Sequence, residues 1–153
     1  GQELAAQIGD RLPIFYTTAD LASVARSNKI KINETAKTQC FWNVWPELNH
    51  NEMVGWTNLR VSPFFVFWIA ADMHERNFTR LQVMQSLWEE QGWPMALVRL
   101  RGNTPWEKIL FGQLVGDYLA YFIAEQTKTN PLALKLVEEF KKQLAKAPVE
   151  TAE

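Results

Sequence analysis

The chain has 153 residues, the size of one domain, and is long enough to bury a hydrophobic core without disulfides or a structural metal. Sixteen basic and seventeen acidic residues give a net charge of −1. This balance argues against nucleic acid as the main partner, because phosphate backbones require a concentrated positive field. The longest apolar run, residues 64–71, is too short to cross a bilayer, so no membrane partner is expected.

The cysteine content and the first residues indicate the cellular compartment in which the protein is expected. A single cysteine, Cys40, allows no intrachain disulfide, which favours a reducing environment. The opening stretch has neither the basic start nor the apolar core of a signal peptide. We therefore expect a soluble protein of the cytoplasm.

The first half of the chain alternates helical and strand patterns. The predicted elements, in chain order, are helix 3–8, strand 12–16, helix 20–37, an irregular segment 38–44 with room for a short strand, and helix 46–54. Asp20 is a plausible N-cap for the long helix, and Pro46 suits the first turn of the helix that it begins.

The second half continues the alternation. The predicted elements are strand 63–70, helix 75–91, strand 95–100, helix 105–127 and helix 131–145, followed by a frayed tail at 147–153. The strand 63–70 is apolar throughout, which is typical of a strand buried on both faces in a parallel sheet. Thr104 and Pro105 read as N-cap and first residue of the helix at 105–127. The sequence therefore predicts one α/β domain, residues 1–146, with a mostly parallel sheet between helices.

Glu34 is the first candidate functional residue. It has a lysine three residues away on each side, Lys31 and Lys37. The pattern fits a set of ion pairs on a helix surface. It equally fits a carboxylate held in a cationic pocket for an anionic substrate.

His50 is the second candidate. It lies in the segment 46–52, Pro-Glu-Leu-Asn-His-Asn-Glu, which holds two carboxylates, two amides and an imidazole. The segment is either a solvated helix or the wall of a polar pocket. Glu47 and His50 form a Glu-x-x-His pair, but di-iron sites use two such pairs, and the other histidine, His74, reads as a surface residue. We therefore expect no metal.

Two stretches resemble the bacterial-type bifunctional phosphoglucose/phosphomannose isomerases. They are KINETAK at 31–37 and, with its histidine sixteen residues after Glu34, WPELNHNEMVGW at 45–56. The closing stretch from Gly102 to Leu144 is similar to the C-terminal end of the same family. The resemblance covers residues 9–144.

The resemblance implies a fold and an activity. Members have two sugar-isomerase (SIS) domains, each a three-layer α/β/α sandwich around a five-stranded parallel sheet, and this chain looks like the second one. The N-terminal SIS domain is then a partner that this chain does not contain. Members interconvert glucose, mannose and fructose 6-phosphates without any cofactor. They are homodimers in which a histidine crosses the subunit interface into the site.

The resemblance also implies roles for individual residues. Glu34 would be the base and His50 the ring-opening residue. A lysine of the last helix matches Lys141 by position, with Lys135 and Lys142 as competitors. The expected substrate-binding residues are Asn33, Lys37 and Asn49.

Departures from the family pattern leave a second function open. The family usually reads Arg-Trp before Lys29, where this chain has Ser27 and Asn28, and usually has Asn where this chain has Thr35. These changes favour a non-catalytic sugar-phosphate-binding module, as SIS domains serve in some regulators. Retention of Glu34 and His50 favours the enzyme.

Overall fold

The structure is a computed structural model that describes residues 1–61 and 63–147; most of the predicted tail, 148–153, therefore lies outside the described residues. Helices and strands alternate along the described chain, as predicted. The helices are α1 (Gln2–Ile8), α2 (Ala22–Lys31), α3 (Glu52–Trp56), α4 (Glu75–Glu90), α5 (Pro105–Gln126) and α6 (Lys135–Leu144). The strands are β1 (Leu12–Thr18), β2 (Phe41–Trp45), β3 (Phe64–Ala70) and β4 (Met95–Arg99).

The strands form one parallel sheet in the order β2-β1-β3-β4. This confirms the predicted α/β class and parallel pairing. The described residues contribute four strands, whereas the resemblance implied about five. The described residues outside these four strands form helices, turns and loops.

Side chains alternate between two hydrophobic cores, one on each face of the sheet. Phe15 and Phe67 point into a core shared with α1, α2 and α5. Tyr16 and Trp68 point the other way, into a core shared with α3 and α4. Helices thus cover both faces of the sheet, which gives the three layers that the resemblance implied.

The predicted helix at 20–37 is divided into three parts. A 3₁₀ turn, Ala19–Leu21, precedes α2, and a π-helical turn, Ile32–Ala36, follows it. Asp20 lies inside the first turn and its side chain caps neither segment, so its predicted N-cap role is wrong.

The predicted helix at 46–54 is also divided. A 3₁₀ turn, Glu47–Asn49, comes first, and α3 begins after it. Asn51 explains the break, because its side chain accepts a hydrogen bond from the backbone amide of Glu52 and so starts a new helix.

The boundaries of α5 follow the prediction closely. Thr104 accepts a hydrogen bond from the amide of Glu107, whose carboxylate in turn accepts from the Thr104 amide, and Pro105 is the first residue. The last helix, α6, begins at Lys135 rather than at Pro131 and has no buried residue. His74 is exposed, as predicted, and its ring accepts from the Arg76 amide. No helix in the described part of the chain is long and apolar enough to span a membrane.

Candidate active site

Glu34 lies in the widened turn that follows α2. The first and last side chains of the π-helical turn Ile32–Ala36 are buried, whereas Glu34 is exposed. Asn33 donates a hydrogen bond from Nδ2 to the carbonyl oxygen of Thr38 at 2.8 Å, which fixes the chain as it leaves the turn. Single π-helical turns are frequent at functional sites. Here the turn directs a carboxylate outward from an anchored backbone.

Lys37 ends this turn and connects it to a distant part of the chain. Its backbone is left-handed, with φ at 55°. Its ammonium group donates to the carbonyl oxygens of Glu34 and of Pro131, the latter at 3.0 Å. Pro131 belongs to the segment between α5 and α6, so Lys37 joins the Glu34 turn to that segment.

A cleft of about 830 Å³ opens between the Glu34 turn and the segment that joins α5 to α6. This volume is typical of sites for small molecules. Its charged lining residues are Glu34 and the lysines Lys29, Lys37 and Lys135. The remaining lining residues are Asn33, Thr38, Gln39, Thr129, Asn130, Ala133, Leu134, Leu136 and Val137. One carboxylate among three ammonium groups suits an anionic ligand that also needs a base.

His50 and Asn49 do not line this cleft. His50 is exposed at the end of the 3₁₀ turn after β2. Asn49 is half-buried, contacts the sulfur atoms of Met53 and Met84, and lines a separate cavity of about 360 Å³. The two residues that the resemblance placed beside the substrate therefore lie elsewhere in this chain.

The topology explains the separation. The Glu34 turn comes before β2 and His50 comes after it, so they lie at opposite ends of the strand. Five residues of β2, at about 3.3 Å each, separate the two ends by roughly 15 Å. Within one chain, Glu34 and His50 do not form a common site.

The structure distinguishes the candidate lysines of α6. Lys135, in the first turn, lines the cleft, whereas Lys141 does not. Lys141 is exposed and lies six residues farther along α6, where each residue adds about 1.5 Å along the helix axis.

Glu47 of the Glu-x-x-His pair contacts a neighbour in its own segment. The Glu47 carboxylate accepts a hydrogen bond from the Asn51 side chain at 3.3 Å. Across residues 1–61 and 63–147, no group of three or more His, Cys, Asp and Glu side chains is placed to hold a metal ion.

A buried polar group beneath α3 was missed at the level of sequence. Trp56 donates from Nε1 to the Tyr16 hydroxyl at 3.2 Å, and the nearby Glu52 has one carboxylate oxygen buried without a hydrogen-bond partner. Burial raises the pKa of Tyr16, and the negative charge of Glu52 raises it further. The apolar run of β1 could have marked Tyr16 as buried, but nothing in the sequence indicates that one carboxylate oxygen of the half-buried Glu52 is enclosed.

Comparison with protein families assigns the domain. Residues 1–144 match the family of the bacterial phospho-glucose isomerase C-terminal SIS domain. The chain belongs to this family. The match extends over α1 to α6, so both the Glu34 turn and the His50 segment lie inside the family's boundaries.

Curated relatives agree with this assignment. The chain is 29% identical over 148 residues to the bifunctional phosphoglucose/phosphomannose isomerase of Aquifex aeolicus, covering 95% of this chain and 46% of the relative. It is 27% identical over 146 residues to the protein of the same name from Thermoplasma volcanium, covering 94% of this chain and 47% of the relative. The chain thus spans about half the length of the curated relatives that it matches.

Solved structures share the SIS fold. A glucose-6-phosphate isomerase like protein from Thermus thermophilus superposes with a TM-score of 0.72 at 17% identity. The superposition covers 92% of this chain and 46% of that one. At this identity the likeness confirms the fold alone.

Proposed function

We propose that this domain is part of an isomerase that interconverts glucose 6-phosphate or mannose 6-phosphate with fructose 6-phosphate. The observation that carries the proposal is the position of Glu34 in a cleft with Lys29, Lys37 and Lys135. Membership of a phospho-glucose isomerase domain family gives this cleft its substrate class.

The chemistry assigns Glu34 the role of base. In the aldose-to-ketose direction, Glu34 removes the proton from C2 of the open-chain sugar. The electrons of the C2–H bond form the C1–C2 double bond, and the carbonyl oxygen at C1 takes up negative charge as an enediolate. The proton of the C2 hydroxyl passes to the oxygen on C1, and return of the abstracted proton from Glu34 to C1 leaves a carbonyl at C2. No metal or organic cofactor enters these steps.

Lysines supply the positive charge that this path needs. An ammonium group beside the enediolate oxygen stabilises its developing charge, and another holds the phosphate. Lys141 is the candidate by resemblance and Lys135 the candidate by position. Asn33 and Lys37 shape the turn that carries Glu34, and we assign them to substrate binding.

His50 is proposed to open the sugar ring, by proton transfer between the anomeric hydroxyl and the ring oxygen. An unperturbed imidazole titrates near neutral pH, which suits this task. Because His50 lies at the opposite end of β2 from Glu34, it reaches a Glu34 cleft only from a second copy of the chain. Asn49 would enter the same shared site. The proposal therefore includes a homodimer, and also an N-terminal SIS domain, since this chain spans about half of its relatives.

The test is isotope exchange by the full-length protein. Fructose 6-phosphate is incubated with the protein in deuterated water, and label at C1 and C2 is followed by NMR. We expect exchange that falls by about 10²–10⁴-fold in Glu34→Gln, the range for loss of a general base. Glu89→Gln removes an exposed carboxylate on α4, outside the cleft, and should exchange like the unaltered protein.

A non-catalytic sugar-phosphate-binding module is the second candidate. The departures from the family pattern at Ser27, Asn28 and Thr35 favour it. Tight binding of hexose phosphate by the full-length protein, without exchange at C1 or C2, would replace the isomerase proposal with this one.

A further inference from the structure

The outer side of α5 carries a row of large apolar side chains that lie outside both hydrophobic cores of the described residues. We call this row the α5 ridge. Its members, with exposed fractions, are Trp106 (74%), Leu110 (61%), Leu114 (54%), Tyr118 (59%) and Tyr121 (46%).

The spacing makes the ridge continuous. Its members follow one another at intervals of four, four, four and three residues, and side chains at such intervals are neighbours on one side of a helix. The opposite side of α5, including Gly112, Gly116 and Leu119, is buried against the domain. The ridge is therefore the side of α5 that faces away from the hydrophobic core of the domain.

The ridge is as large as the largest apolar patches of monomeric proteins. At roughly 150–250 Å² for each large side chain, the exposed fractions amount to an area on the order of 600 Å². The largest apolar patch of a monomeric protein is about 300–600 Å², and patches of that size are often binding sites. A stable interface needs about 800 Å² on each partner, so the ridge would form most of one.

We propose that the α5 ridge is the docking surface for the N-terminal half that precedes this domain in its relatives. This inference rests on the proposed function for the existence of that half, and it adds the surface that receives it. The relatives contain about as much chain again as the part matched here, which is enough for a folded body of the required size.

The position of the first residue selects this occupant. Gly1 lies so close to α5 that a Cβ added to it would come 2.5 Å from the Cβ of Tyr118. A polypeptide that continues backward from Gly1 therefore leaves the domain beside the ridge. A body tethered at this point has a high effective concentration at the ridge, whereas a separate molecule has no such advantage.

Side-chain footprinting tests the proposal directly. Hydroxyl radicals label exposed aromatic side chains, and mass spectrometry gives the rate for each one. We compare this 153-residue chain with the full-length protein. Trp106 and Tyr118 should label at least fivefold more slowly in the full-length protein. Phe78, which is 37% exposed on α4 at the other face of the sheet, is the internal reference and should keep its rate.

A variant gives the matched control. In full-length Leu110→Asp/Leu114→Asp, Trp106 and Tyr118 should regain the rates of the isolated chain. The α6 pair Leu136→Asp/Phe140→Asp has the same spacing and charge change, and should leave the ridge protected. Circular dichroism checks that each variant is folded, which is expected because all four side chains are more than half exposed.

Three results would overturn the inference. One is equal labelling of the ridge in the two proteins. Another is equal loss of protection in both variant pairs. The third is ridge protection in the isolated chain that rises with its concentration, because a second copy would then be the occupant. Exchange at C1 and C2 is measured separately, so an inactive protein with a protected ridge contradicts only the proposed function.

Discussion

The other charged residues that line the cleft around Glu34 are lysines, and single substitutions can show which of them takes part in catalysis. Lys135 lines the cleft and Lys141 lies outside it. A hydrogen bond to a charged group contributes about 1.5–3 kcal/mol. We therefore expect Lys135→Met to lower kcat/KM of the full-length enzyme by roughly 10- to 100-fold, with Lys141→Met within about threefold of the unaltered enzyme.

Steady-state kinetics on fructose 6-phosphate measures this difference. The reverse order, a large loss in Lys141→Met and none in Lys135→Met, would support the assignment by resemblance. It would also mean that α6 lies differently in the full-length enzyme.

Two buried groups should make the domain sensitive to alkali. Burial raises the pKa of Cys40 from 9.0 to about 12 and holds the pKa of Tyr16 above its usual 10.0. As the pH rises, the unfolded chain loses these protons at a lower pH than the folded chain does. The free energy of unfolding therefore keeps its full value below about pH 9 and falls above it. Each group contributes a slope of up to about 1.36 kcal/mol per pH unit.

Urea unfolding at about pH 8, 9.5 and 10.5 measures this slope. The double variant Cys40→Ala/Tyr16→Phe should lose less free energy of unfolding over that range than the unaltered chain. An identical slope in both proteins would show that other groups control alkaline unfolding.

Helices α2 and α5 approach each other closely because two glycines of α5 lie at their contact. A Cβ on Gly112 would come 2.6 Å from Val24 Cγ1, and one on Gly116 would overlap the buried Asn28 side chain. We expect Gly116→Ala to cost about 1–3 kcal/mol, as overpacking does. Gly55 in α3 has open space around its Cβ position, so Gly55→Ala should be neutral or stabilise by about 0.5–1 kcal/mol.

Thermal and urea unfolding of the two alanine variants provide the comparison. If both behave alike, the close contact of α2 with α5 does not limit stability.

How far the sequence predicts each element depends on how local its cause is. The capping box of α5 was predictable, because Thr104, Pro105 and Glu107 act on the first turn that follows them. The apolar run of β3 was predictable because burial on both faces leaves no alternation. The π-helical turn after α2 and the new start at Asn51 were not, since both depend on packing around the helix ends.

The same contrast between local causes and contacts with distant segments applies to the candidate site. Motif and resemblance directed attention to Glu34, which lines a cleft together with Lys29, Lys37 and Lys135. The Pro131 contact of Lys37 and the place of Lys135 could not be predicted, because they join segments distant in sequence. The buried position of Asn28, where the resemblance implied tryptophan, likewise depends on Gly116 of another helix.

On the scale of the whole molecule, the separation of Glu34 from His50 predicts subunit complementation. Full-length Glu34→Gln and His50→Ala should each be nearly inactive as pure homodimers. Random mixing by joint refolding makes half the dimers mixed, and each mixed dimer has one intact site of two. About a quarter of the unaltered activity should therefore return.

Native mass spectrometry verifies that mixed dimers form. Mixed dimers without activity would mean that Glu34 and His50 do not serve one site across an interface. Native mass spectrometry of the unaltered protein likewise tests the predicted homodimer.

The parallel arrangement of α2 and α5 has a consequence for the width of the cleft. The Glu34 turn extends α2, and the opposite wall begins where α5 ends, so the two walls continue two helices in close contact. The absence of methyl groups at Gly112 and Gly116 sets the spacing of those helices, and the Lys31–Asp117 ion pair joins the last residue of α2 to the middle of α5. The width of the cleft is thus set in the ligand-free protein. Binding would then order lysine side chains rather than move backbone, at about 0.5–1.5 kcal/mol for each side chain immobilised.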